Sequence, residues 1–76
     1  MTTAEIAQIV EEVARQELQW EGPLPTGELA EGLDSMQRLS LAVALEDRFR
    51  ICFEPEEEEK VRTLADLVLL IQRKIT

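Results

Sequence analysis

The sequence predicts an all-α fold: a small bundle of three main helices and a short one placed third, with a long loop between the first two. Three observations predict it. Apolar residues recur at helical three- and four-residue spacing in three separate stretches. Leu, Glu, Ala and Arg, all helix formers, dominate a chain whose aromatic residues are Trp20, Phe49 and Phe53. Before each apolar stretch stands a capping pattern, an Asp or Thr answered three residues later by Glu, Gln or Asp. At 76 residues, the chain is expected to form a single domain over 1–76 that buries only about 60% of its unfolded surface.

The elements follow in order. Thr2 and Glu5 read as a capping box, and Ile6, Ile9, Val10 and Val13 then repeat along one face, so a helix is expected from about residue 3 to 18. The prolines and glycines at 22, 23, 25 and 27 stop it. A connection without regular periodicity is expected from about 19 to 33, pinned to the core by Trp20 and Leu24; loops longer than about 12–15 residues are usually functional or disordered. The next helix begins at Asp34 or Ser35 and runs to about Phe49, with Asp34 and Gln37 as its capping pair. It carries two apolar rows. Leu41, Leu45 and Phe49 form the row expected to face the core; Met36, Leu39 and Val43 form a second row well round the same helix, either packed or kept for a visitor. Ile51-Cys52-Phe53 is too short to found a sheet. Glu54 to Lys60 suits one short helix with Pro55 at its first position and carboxylates at the positive end of its dipole. Thr63 and Asp66 cap the last helix, whose expected buried face is Leu64, Leu67, Val68 and Ile71, with Arg73 and Lys74 at its negative end.

Charge and composition narrow the function. A net charge of −8 is the wrong sign for a phosphate backbone or an anionic membrane surface, and suits basic partner surfaces or plain solubility. Cys52 is the lone cysteine and the chain has no histidine, so an internal disulfide and a Cys–His pair are excluded and a zinc site is not expected. The acidic, amphipathic start is unlike a signal peptide and no apolar run reaches membrane-spanning length, so a cytoplasmic, monomeric protein that does not insert into membranes is expected. The glutamate run 54–59 lacks the glycine turn and alternating oxygens of a calcium loop and reads as a solvated helix face. Cys52 reads as a packing or surface residue, and Trp20 as a loop anchor rather than a stacking platform. No metal site and no catalytic group emerges.

Ser35 is the exception. A serine in the first turn of a helix is ordinary. This one, however, projects where unpaired N–H groups and the helix dipole favour a phosphate by about 0.3–1 kcal/mol. It also stands between a long loop and an apolar row, so that a group attached to it can lie along the protein.

At these residues the sequence resembles the acyl carrier proteins. Gly32-Leu33-Asp34-Ser35-Met36 is similar to the family's phosphopantetheine attachment motif, and Ala44-Leu45-Glu46-Asp47-Arg48-Phe49 resembles its Ala-Leu-Glu-Glu-Glu-Phe. The likeness continues through Glu59-Lys60-Val61, Thr63-Leu64 and Asp66-Leu67, covering about residues 30 to 70, while the first helix fits in outline. The resemblance implies that Ser35 is not a catalyst. It implies a covalent 4'-phosphopantetheine on Ser35, donated from coenzyme A by a phosphopantetheinyl transferase, with acyl or aminoacyl cargo held as a thioester. Partners would be that transferase, an acyl or aminoacyl ligase or transferase, and a ketosynthase or other downstream synthase enzyme, with no nucleic acid among them. Asp34, Met36, Arg38, Leu39 and Val43 would form the partner-recognition surface. The pathway (fatty-acid, polyketide or related specialised biosynthesis) stays open, because Asp-Ser-Met also occurs in aminoacyl carriers. Two departures are notable. Gln37, Arg38 and Ser40 stand where fatty-acid carriers tend to be acidic, and Arg50 stands where a glycine is common. The alternative is an acidic helical protein-interaction domain that is never modified.

Overall fold

Thr2 sets the start of the first helix. In the computed structural model, which describes residues 1–22 and 27–75, the Thr2 hydroxyl accepts the Glu5 N–H and the Glu5 carboxylate accepts the Thr2 N–H, both at 3.2 Å. The Thr2 N–H foremost, and then the Thr2 hydroxyl donating to the same carboxylate at 3.1 Å, hold the Glu5 carboxyl below the ordinary carboxylate range. Helix α1 spans Thr3–Leu18 and ends at Gln19, whose φ of 50° turns the chain into the left-handed region. Beyond it the Arg15 guanidinium donates to the Gly22 carbonyl at 2.7 Å, and Trp20 packs half-buried against the core as expected. Leu24, the other expected anchor, lies outside the described residues.

The connection is not wholly irregular. It contains a single helical turn, α2, at Leu29–Gly32, which the periodicity does not announce. One turn is too short to be stable on its own propensity. Here tertiary contacts impose it: Leu29 and Leu33 are buried, and the Leu29 N–H donates to the Arg62 carbonyl at 2.7 Å.

Helix α3 spans Ser35–Phe49, so of the two possible starts it takes Ser35, with Asp34 as N-cap. Leu41 and Leu45 are buried as expected, but Phe49 in the same row is only half-buried. Phe53 takes the buried aromatic position instead, fixed by its N–H, which donates to the Glu46 carboxylate at 2.8 Å. Cys52, between them, is exposed. Helix α4, Pro55–Lys60, begins with Pro55 and a Glu54–Glu57 capping box and buries none of its residues. It is tied down at Glu57, whose carboxylate meets the Lys74 ammonium at 2.7 Å. That contact, then the Glu54 N–H, draws the Glu57 carboxyl below its ordinary range.

Helix α5, Leu64–Ile75, starts from the expected box, the Thr63 hydroxyl accepting the Asp66 N–H at 3.1 Å and Asp66 accepting the Thr63 N–H at 3.3 Å. Its buried face is Leu67, Val68, Leu70 and Ile71; Leu64, expected on that face, is half-buried, and Leu70 replaces it. The four helices expected from the sequence are therefore present at their expected bounds, and the described residues are helical or irregular, without strands. Helix α1 packs against both α3 and α5, and Ile6, Val10, Leu41, Leu45 and Ile71 meet at the centre of the core. With α1 packed along the inner row of α3, its other face is left outward, and that is where the candidate site lies.

Candidate functional site

Asp34 builds the site locally. Its carboxylate accepts the Gln37 N–H at 2.7 Å, and the Gln37 side-chain oxygen accepts the Asp34 N–H at 3.0 Å. This reciprocal box fixes the first turn of α3 and uses the Gln37 amide, leaving those of Ser35 and Met36 as the ones a helix start does not bond internally. Ser35 is exposed at that turn. The Arg38 guanidinium reaches back one turn and donates to the Ser35 Oγ at 3.4 Å. Three-residue spacing makes the two side chains neighbours on the helix surface.

The structure brings the sequence-predicted residues together on one outward face. Asp34, Ser35 and Arg38 are exposed, and Met36, Leu39 and Val43 are 78%, 62% and 54% exposed. A run of large apolar side chains in water marks an interaction surface more often than a scattered single exposure does. The inner and outer rows of α3 thus separate as the periodicity predicts.

Sequence reasoning missed what lies beside Ser35. A cavity of about 270 Å³ adjoins it, with Leu29, Leu41, Ala42, Phe53, Val61 and Leu70 among its lining. The exposed Ser35, Arg38, Leu39 and Glu58 also line it and so mark its open side. These residues come from α2, α3, the α3–α4 connector, α4 and its exit, and α5. No spacing within one helix can reveal a hollow assembled from five segments; the one available hint was the four-residue interval between Leu29 and Leu33. Among the described residues, no three acidic or cysteine side chains are grouped so as to hold a metal ion, and no helix is long and apolar enough to cross a membrane.

An exposed hydroxyl at a capped helix start, a guanidinium on the same turn and an apolar hollow alongside suit a tethered anionic group with an apolar tail. With the all-helical architecture, this is an acyl-carrier-like bundle. Comparison with known proteins agrees. A curated acyl carrier protein from Exiguobacterium sp. is 39% identical to this chain over 44 residues, which are 58% of this chain and 56% of that protein. The match thus spans little more than half of either protein. No protein-family model matches the chain.

Proposed function

We propose that this chain is a carrier, not a catalyst, and that Ser35 bears a covalent 4'-phosphopantetheine arm. The residues present fit that group: the Ser35 Oγ is exposed for attachment, and the Arg38 guanidinium and the first-turn amides of α3 offer donors to a phosphate. When attached, the arm supplies a terminal thiol on which an acyl or aminoacyl group is carried as a thioester, a linkage that keeps the carbonyl electrophilic.

The chain's own residues do the remaining work. Asp34 holds the turn that presents the Ser35 hydroxyl, and its exposed carboxylate offers a negative charge to a basic transferase surface. Met36, Leu39 and Val43 offer apolar anchors to the enzymes that load and use the cargo; such anchors carry most of the affinity of a small interface. Tethering to one mobile carrier raises the cargo's effective concentration at each successive enzyme. The apolar hollow beside Ser35, near the lower end of the usual range of about 300–1,000 Å³ for ligand pockets, offers the attached cargo a place against the protein. The chain would act in fatty-acid, polyketide or related biosynthesis in the cytoplasm.

The observation that carries this reading is the placement of Ser35: exposed, at a capped helix start, on the same surface as the outer apolar row and the hollow. Intact mass after co-expression with a broad-specificity phosphopantetheinyl transferase tests it. The expected result is a gain of one phosphopantetheine that disappears in Ser35→Ala. Ser40, about 140° further round the helix by its five-residue offset, is expected to stay unmodified. No gain in the wild type, or a gain that survives Ser35→Ala, refutes the proposal.

A further inference from the structure

Arg38 is the one basic residue between positions 16 and 47 in a chain with 16 acids and 8 bases, and its side chain turns toward the hydroxyl of Ser35. Around it the surface is largely acidic. Glu28, Glu58, Glu59 and Arg62 line a polar groove with Arg38, yet among the described residues Arg38 forms no ion pair with any of these carboxylates. Its guanidinium is therefore uncommitted, with five N–H donors of which one is directed at the Ser35 Oγ.

We propose that Arg38 is a positioning residue that binds the phosphodiester of the arm on Ser35 and holds the arm's root against the first turn of α3, a role that rests on the carrier reading above. In the attached state the Ser35 Oγ becomes the ester oxygen of that phosphate. The two non-bridging oxygens then lie two bonds beyond the atom that Arg38 already reaches at 3.4 Å, through the phosphorus. A planar guanidinium matches two phosphate oxygens with parallel N–H donors, which a lysine point charge does not. The need for such a partner is local. Attachment puts a negative charge next to the Asp34 carboxylate, and the dipole of α3 offsets that repulsion only within its first turn. Arg38 supplies a full positive charge at the same place. Because Arg38 also lines the hollow, holding the phosphate keeps the root of the arm on that side of α3.

Thermal melting and phosphorus NMR of loaded and unloaded protein test this. Wild type, Arg38→Gln and Arg62→Gln are loaded by a purified broad-specificity transferase, and the loaded fraction of each is isolated by mass before measurement. Arg62 lines the same groove, so its variant removes an equal charge nearby without removing the contact. The change in Tm on loading is expected to be less favourable by about 2–4 °C in Arg38→Gln than in wild type at low salt. The difference should shrink in 0.5 M salt. The phosphodiester resonance should move in Arg38→Gln and stay in place in Arg62→Gln. Equal Tm changes on loading in all three proteins, or equal effects of both variants, would overturn the proposal, the first leaving the phosphate free and the second reducing Arg38 to background charge. Failure of the wild type to gain the arm defeats the carrier reading itself, an outcome separate from loading without coupling.

Discussion

Val43 and Leu45 are two positions apart on α3, both apolar, and the structure assigns them opposite energetic roles. Leu45 is 0% exposed within the core; Val43 is 54% exposed on the outer row. Leu45→Ala removes three buried carbons, a transfer loss of about 2.4 kcal/mol at roughly 0.8 kcal/mol each. The cavity left behind brings the total to about 3–4 kcal/mol. Val43→Ala removes two carbons that are half in water, a loss of about 0.7 kcal/mol. Ala's helix propensity exceeds that of Val by about 0.5 kcal/mol, which nearly cancels that loss. A 76-residue domain has a total stability of about 4–11 kcal/mol. Leu45→Ala therefore removes at least about a quarter of it, while Val43→Ala leaves the fold intact. Urea unfolding followed by the fluorescence of Trp20, half-buried against the core, measures both. The midpoint should fall by about 2–4 M for Leu45→Ala at a slope of about 1–1.5 kcal/mol/M, and by under about 0.5 M for Val43→Ala. Equal losses in the two variants would show that the outer row is packed rather than free, and the partner surface assigned to it would fail with it.

Two further outcomes follow from local geometry. Arg50 follows α3 at φ 56°, where an L side chain is strained by about 1–2 kcal/mol and glycine is not. After the added flexibility of glycine in the unfolded chain, Arg50→Gly should stabilise the protein by about 0.5–1 kcal/mol, raising Tm by about 2–8 °C in calorimetry; an unchanged or lower Tm would refute the strain. Glu57 has its carboxyl lowered by Lys74. A depressed folded-state pKa contributes stability above the unfolded value of 4.5 and loses it as pH falls through the folded value. The two side chains are 28% and 21% exposed, with their charged tips in water, so the effect is small and screened by salt. Melting curves of wild type and Glu57→Gln should differ near pH 7 and draw together as pH falls below 4.5 and through the lowered folded-state value; a gap that does not change with pH rules out the pairing as its cause.

Local sequence determined every feature of this protein that depends on neighbours three or four residues apart. The boxes Thr2–Glu5, Asp34–Gln37 and Thr63–Asp66 start their helices where the residue types say, because a cap is satisfied within one turn. The exposure of Ser35 and the division of α3 into inner and outer rows are equally local, since 100° per residue decides both. Only the tertiary structure decided the rest. The turn Leu29–Gly32 exists because Leu29 finds the Arg62 carbonyl and a buried position, neither of which is near it in the chain. Phe53 takes the buried aromatic place expected of Phe49 because Glu46 captures its amide across seven residues. Leu70 is buried where Leu64 was expected, while Leu64, the first residue of α5, is half-buried. The hollow beside Ser35 draws its lining from segments between residues 29 and 70. A helix period describes one face of one element, whereas a cavity is the space that several elements leave among them, and only their packing defines it.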